Sequence, residues 1–234
     1  MPVIWALVSE YPKLSIREEE PMNSSRLQQD VMLASLEERG LMLVGGHFDY
    51  RNGYHGTSYL TAQPLLTDPA EVIQYAQDLT AKIPSEIRNQ VEMVAAPATG
   101  GMLFGFAMAI AIDSSRQIGT NYHKLLFVPI YKTDGKLALR EFHRTLIAGE
   151  FQKPGRRVLV VDDVSNTGLT ITRSRKLVED CGGQVIASAV IYDRQSASVE
   201  LRNHFSLATC DPDPGLIEVV NCPNCKLHVP ITQF

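Results

Sequence analysis

Apolar strands alternating with helices through the second half of the chain predict an α/β protein. The expected architecture is a central parallel sheet flanked by helices, with a small N-terminal hood and a loop-rich C-terminal tail. Two observations carry this reading. KLLFVPIY (124–131), RVLVV (157–161) and VIASAVIY (185–192) are apolar without alternation, as strands covered on both faces are. In addition, residues 157–161, 170–180 and 185–192 read as strand, helix and strand at the spacing of a parallel crossover unit.

Ahead of this lies a different kind of chain. Residues 1–40 read as an irregular arm followed by a helix over 26–39 that Gly40 closes. Residues 41–66, rich in aromatics, glycine and β-formers, predict two short strands about a turn at Asn52-Gly53, the hood of a domain spanning 41–205. Asp68 and Pro69 open a helix to about position 83. A strand over 91–95, a turn over 98–101 and an apolar helix over 102–112 follow, with Phe104, Phe106 and Met108 assigned to the core. Residues 132–150 lack a period and are expected to form a functional loop. Residues 206–234 form a cysteine-containing tail.

Composition excludes several classes. With 234 residues, 44% hydrophobic and 21% charged, the chain is globular, not disordered or fibrous. A net charge of −4 argues against broad binding to nucleic acid or an anionic membrane. Four cysteines are too few for a disulfide-built scaffold. No signal peptide is read at the N-terminus, so the expected location is cytoplasmic. The uncharged stretch over 93–112 has spanning length, but Pro97 and Gly100-Gly101 interrupt it, so no membrane span is expected.

The segment richest in chemistry is VLVVDDVSNTGLT (158–170). An apolar strand delivers Asp162 and Asp163 to the carboxyl edge of the sheet, where open α/β proteins bind ligands. The turn that follows gathers backbone N–H groups, hydroxyls and a helix N-terminus around one point, an arrangement suited to a phosphate. Two acids beside it suit the vicinal hydroxyls of a sugar. Neither a Gly-x-x-x-x-Gly-Lys-Ser/Thr loop nor a Gly-x-Gly-x-x-Gly turn is present.

This segment closely resembles the phosphoribosyl-pyrophosphate (PRPP) motif of type I phosphoribosyltransferases. GHFDYRNGYHGTSYL (46–60), VAAPATGGM (94–102) and VIYDRQ (190–195) extend the resemblance to the orotate phosphoribosyltransferase-like branch. It implies the type I phosphoribosyltransferase fold, with Mg²⁺-dependent transfer of ribose 5-phosphate from PRPP to a nucleobase, orotate or a related pyrimidine first. It places Asp162 and Asp163 on the ribose and, with Lys132, in the catalytic role. The PRPP site would comprise Asp162, Asp163, Val164, Ser165, Asn166, Thr167, Gly168, Leu169 and Thr170, with Ala98, Thr99, Gly100 and Gly101 on the pyrophosphate. Arg51, Tyr59, Leu60 and Arg194 would meet the base. Lys136, Arg140, His143 and Arg144 would belong to a mobile loop closing over a neighbouring subunit, implying a homodimer. The family usually has Lys at Arg51, Phe-Phe at Tyr59-Leu60, Thr at Asn166, and Arg-Lys-x-x-Lys-x-His-Gly where this chain reads YKTDGK and REFHR. That altered loop keeps two alternatives open: a non-catalytic sensor of PRPP or a nucleotide, and an interaction protein on a degenerate scaffold.

The tail offers a separate signal. Cys210, Cys222, Cys225 and His228 have the ligand types of a structural zinc, with Cys222 and Cys225 forming a knuckle. His47, His55 and His123 are read as surface or satisfied residues near strand ends.

Overall fold

A computed structural model describes residues 34, 36–50, 53–116, 124–149, 155–194, 201–209 and 216–232. The arm over 1–24, most of the first helix, Arg51, His123 and Cys210 lie outside them. Residues 36–38 are helical, and Gly40 follows with φ 67°, the left-handed closure expected of it.

The hood begins with β1 (Met42–Asp49) and β2 (Tyr54–Leu60), an antiparallel pair in which Asp49 faces His55. Next, α1 (Pro69–Lys82) starts where the sequence predicts. The Asp68 carboxylate accepts from the N–H groups of Ala70 and Glu71 at 2.9 and 3.4 Å, and Pro69 occupies the first turn. Asp68→Ala is expected to cost about 1 kcal/mol of stability, read as a lower urea midpoint at unchanged slope.

After the short α2 (Ser85–Arg88), β3 (Met93–Pro97) is buried at every position. It leads into α3 (Gly100–Ser115). Gly105 lets that helix lie directly on β3, because a Cβ there would overlap the Ala96 methyl. The helix was expected to be buried all round, and it is not. Phe104, Met108 and Ile112 are buried, but Leu103, Phe106 and Ile110 are about half exposed. The sheet and α1 cover one side of the helix, and nothing else among the described residues covers the other.

The segment expected as a loop is largely ordered. β4 (Leu126–Thr133) turns into β5 (Lys136–Ala138) through Asp134 and Gly135, both at positive φ, and α4 (Glu141–Ala148) follows. Asp-Gly supplies the two left-handed residues that a tight hairpin turn needs. The chain then runs through β6 (Arg157–Val161), β7 (Val164–Ser165), α5 (Leu169–Asp180), β8 (Gln184–Asp193) and β9 (His204–Thr209). In the tail, β10 (Ile217–Glu218) and α6 (Pro223–Lys226) complete the order.

The main sheet runs β5-β4-β3-β6-β8-β7, with β9 also on β8, and every pairing is parallel except β4 with β5. One buried apolar cluster lies between this sheet and the α1/α3 layer; a second holds Ile147 of α4 and Val178 of α5. Each fully buried Val, Leu or Ile stabilises the fold by about 1.5–3 kcal/mol. The tail does not hang free: β10 pairs with β2, making the hood a three-stranded sheet.

Candidate functional site

The carboxyl ends of β3, β4 and β6 and one edge of the hood surround a cleft of about 960 Å³. Asp162 and Asp163 stand at its floor, immediately after β6. Asp162 is buried and Asp163 half-buried. The N–H of Asp163 donates to the Asp162 carboxylate at 3.0 Å, and the N–H of Val164 to the Asp163 carboxylate at 2.8 Å. Burial, and then the neighbouring Asp163 charge, push the Asp162 carboxyl well above the ordinary carboxylate range; burial raises Asp163 as well. Two desolvated acids side by side favour a ligand that brings hydroxyl donors or positive charge.

Opposite them lies the turn from β3 into α3. The Ala98–Thr99 peptide bond is cis. Gly100 and Gly101 touch the acids so closely that a Cβ on Gly100 would overlap the Asp163 carboxylate, and one on Gly101 that of Asp162. Only glycine permits this approach, which accounts for the Gly-Gly pair better than turn propensity does. No side chain caps the N-terminus of α3, so its first N–H groups are open toward the cleft.

The second helix start has the same character. Gly168, at φ 73°, is the N-cap of α5 and has no side chain to cap it; the Thr167 hydroxyl accepts from the Leu169 N–H at a long 3.4 Å. Ser165, Asn166, Thr167, Leu169 and Thr170 line the cleft around it. Two helix N-termini whose N-cap residues supply no capping side chain therefore face one cleft whose floor carries two acids. Helix N-termini favour anions, and two of them suit a ligand with two separate anionic groups.

Lys132 and Lys136 extend from the β4–β5 hairpin into the cleft. The structure does not bring the other three basic residues of the expected loop there. Arg140 stacks on the Tyr131 ring at 4.5 Å, His143 stacks on the same ring at 6.0 Å, and the Arg144 guanidinium donates to the Leu139 carbonyl at 3.2 Å. Arg173 and Lys176 of α5, which the sequence did not single out, line the cleft instead. Their signal was available: they follow the phosphate loop at helical spacing.

On the hood side, Tyr50 and Tyr59 stack at 5.9 Å and line the cleft with Asp49. Leu60 is fully buried in the core and does not line it. Its backbone instead exchanges two hydrogen bonds with the Asn166 side chain, at 3.1 and 2.9 Å, joining hood to phosphate loop. Asn166, with a donor and an acceptor, can pair with both groups of one residue; a threonine hydroxyl at this position lacks that fork. Arg194 is 2% exposed and does not line the cleft either. Its guanidinium donates to the Tyr50 hydroxyl, to the Ser58 carbonyl at 3.1 Å and to the Ser58 hydroxyl at 2.9 Å. Among the described residues it binds the hood in place of a carboxylate.

The cysteine knuckle has other neighbours than the sequence suggested. Cys222 and Cys225 meet His47 and His55, with all four ligand atoms within 4.8 Å of one another. His47 and His55 are 2% and 7% exposed, so they are buried, not surface residues. His228 is exposed and stands outside this group. No described helix is long and apolar enough to cross a membrane.

Comparison with known proteins agrees with this geometry. The phosphoribosyl transferase domain family matches residues 65–220. Orotate phosphoribosyltransferase from Novosphingobium aromaticivorans is 35% identical over 159 residues, 68% of this chain and 73% of that protein. Among solved structures, orotate phosphoribosyltransferase from Aeropyrum pernix has a TM-score of 0.50 at 24% identity, covering 76% of this chain and 93% of that one. Adenine phosphoribosyltransferase from Thermoanaerobacter pseudethanolicus also scores 0.50, at 25% identity over 74% and 99% of the two chains. The same fold thus accompanies different bases.

Proposed function

The chain belongs to the phosphoribosyltransferase family, and from that premise we propose that it transfers ribose 5-phosphate from PRPP to orotate or a related pyrimidine, releasing pyrophosphate. One observation carries the reading: two desolvated acids lie in a single cleft with two helix N-termini whose N-cap residues supply no capping side chain. PRPP has that pattern of groups, a sugar with free hydroxyls between a monophosphate and a diphosphate. The orotate choice rests on the named relative, and the fold itself leaves the base open.

The residues divide the work as follows. Asp162 and Asp163 accept from the ribose hydroxyls. The α5 N-terminus with Ser165, Thr167 and Thr170 binds the 5′-phosphate, and the α3 N-terminus with Gly100 and Gly101 receives the diphosphate. Lys132 and Lys136 neutralise charge on the departing pyrophosphate from the opposite wall. Tyr50 and Tyr59 offer a flat aromatic wall to a planar base. Because the transition state is oxocarbenium-like, most of the acceleration comes from positioning and from charge placed where pyrophosphate develops.

Mg²⁺ fits this site. The acid pair is uncompensated, and two carboxylates alone do not make a protein cage, which suits an ion that also takes diphosphate oxygens. When bound it supplies further charge neutralisation of the diphosphate. A homodimer belongs to the same reading, by family resemblance.

The test is a pyrophosphate-release assay with PRPP, Mg²⁺ and a panel of orotate, uracil, hypoxanthine and adenine. Turnover with orotate above the other bases is expected. Tight PRPP binding without release from any base would instead favour a PRPP sensor, a reading that the altered sequence of the β4–β5 hairpin also supports.

A further inference from the structure

Away from the cleft, we infer that His47, His55, Cys222 and Cys225 form a structural zinc site that fastens the C-terminal tail to the hood. Two ligands come from the β1–β2 hairpin and two from the tail, 167 or more positions further along the chain.

Distances fit first. Tetrahedral zinc, with bonds of about 2.3 Å to sulfur and about 2.0–2.1 Å to nitrogen, sets its ligand atoms roughly 3.3–3.8 Å apart. Here His47 Nε2 lies 3.5 Å from Cys222 Sγ and 3.6 Å from Cys225 Sγ, and His55 Nδ1 lies 3.2 Å from Cys225 Sγ. The two ring nitrogens are 2.8 Å apart and would open by about 0.5 Å around the ion. Two thiols and two imidazoles are a donor set that selects zinc over harder cations.

Proton placement points the same way. His47 Nδ1 faces the Val229 carbonyl at 2.7 Å, and a carbonyl only accepts, so this nitrogen carries the proton. That leaves a lone pair on Nε2, aimed at the cluster. His55 Nε2 faces the Asp49 carboxylate at 3.7 Å, which favours the proton on that nitrogen and a lone pair on Nδ1, also aimed at the cluster. With neutral rings, two lone pairs then meet at 2.8 Å. A cation between them resolves the conflict. Metal-bound histidines characteristically have their other nitrogen held by a carbonyl or a carboxylate; His47 has the Val229 carbonyl at hydrogen-bond distance, and His55 has the Asp49 carboxylate nearby at 3.7 Å.

The backbone is already arranged around the cluster. Asp49 lies directly opposite His55 across the hairpin, and His47 sits diagonally, so both rings share one sheet face. The tail is bonded to both hairpin strands: Ile217 of β10 pairs with His55, the Thr232 N–H donates to the His47 carbonyl at 2.7 Å, and the His47 N–H donates to the Thr232 hydroxyl at 2.8 Å. His47 lies on the strand that ends at Asp49, and Tyr50 follows directly; both are residues of the cleft. The ion would therefore hold the hood edge that faces the ligand.

The decisive experiment measures metal content and chelator response in the full chain. About one equivalent of zinc is expected after purification or reconstitution, with a melting temperature that falls when a strong chelator removes it. Cys222→Ser, Cys225→Ser and His47→Ala should each lose the metal and the chelator response, whereas Cys210→Ser and His228→Ala should keep both. Because His55→Ala also removes a buried ring from the hood, His55→Cys serves as its control; a third thiolate should retain zinc. Cobalt-loaded protein should show thiolate charge-transfer absorption that Cys222→Ser abolishes. Folded protein that takes up no zinc, a Cys222–Cys225 disulfide in the native chain, or metal that survives in the His47→Ala, His55→Ala pair would each overturn the site.

Discussion

The double variant Asp162→Asn, Asp163→Asn is expected to lose PRPP binding and yet to melt at a higher temperature than the parent at pH 7. The two effects have one cause. Both carboxyls are raised above their ordinary value, chiefly by burial, so the folded chain binds protons there at pH values where the unfolded chain has released them. Wherever the native state holds more protons, stability falls as pH rises. The acids therefore cost nothing below about pH 4, near the ordinary aspartate value of 3.8, and weaken the ligand-free protein progressively above it. Asparagine removes the charge while keeping the shape and the oxygens that accept from the N–H groups of Asp163 and Val164. The advantage of the variant should vanish on acidification. Calorimetry with PRPP and melting curves at pH 4 and pH 7 check both halves. A folded double variant with unchanged PRPP affinity would remove the acids from the site, and one less stable than the parent at pH 7 would contradict the burial argument. Strain of this kind, relieved when ligand arrives, is a common cost of function.

The strand, the acid pair and the phosphate turn were legible because each has a local signature. VLVV ends where apolar character ends, and the loop residues are small and polar. The β4–β5 hairpin was equally local, since Asp134-Gly135 between short flanking runs is a strong turn signal, but the basic residues around it suggested an open loop. Of the four residues in the proposed zinc cluster, Cys222 and Cys225 were named from the sequence, and the two histidines were missed for a non-local reason. A two-residue turn at Asn52-Gly53 would pair His55 with Tyr50 and put His47 on the opposite face. The observed register pairs His55 with Asp49, leaving three residues between Tyr50 and Tyr54. One step of register flips a whole strand face, and it decides whether the two histidines meet. The approach of Cys222 and Cys225 depends on β10 joining β2, which no spacing in the sequence encodes. Leu60 and Arg194 were misplaced by a third route: the resemblance identified the right segments, but side-chain direction is set by packing, which turned Leu60 into the core and Arg194 into the hood.

That placement gives Arg194→Ala the largest expected effect on stability. The guanidinium lies over the Tyr50 ring at 5.3 Å and donates to the Tyr50 hydroxyl and to both Ser58 oxygens. Truncation takes the guanidinium from both Ser58 oxygens and from the Tyr50 hydroxyl, leaves the Ser58 carbonyl with the Tyr50 hydroxyl as a side-chain donor, and opens a void between the end of β8 and the hood. Hydrogen bonds from a charged donor contribute about 1.5–3 kcal/mol each, and the bonds act together, so a loss of about 3 kcal/mol or more is expected. In a chain of this size that lowers the melting midpoint by about 6–12 °C. Arg194→Lys should rescue little, because one ammonium cannot reproduce the planar fork. The kinetic signature separates this role from direct contact with PRPP. The Arg194 N–H still donates to the Ser165 carbonyl in any variant, so the phosphate loop keeps its support. Tyr50, by contrast, loses one of its anchors and keeps only its hydroxyl bond to the Ser58 carbonyl and its stacking on Tyr59. The Michaelis constant for the base should therefore rise well beyond any change in PRPP affinity, together with the fall in midpoint. A variant as stable as the parent would show that the guanidinium does not hold the hood, and a selective loss of PRPP affinity would place it on the wrong substrate.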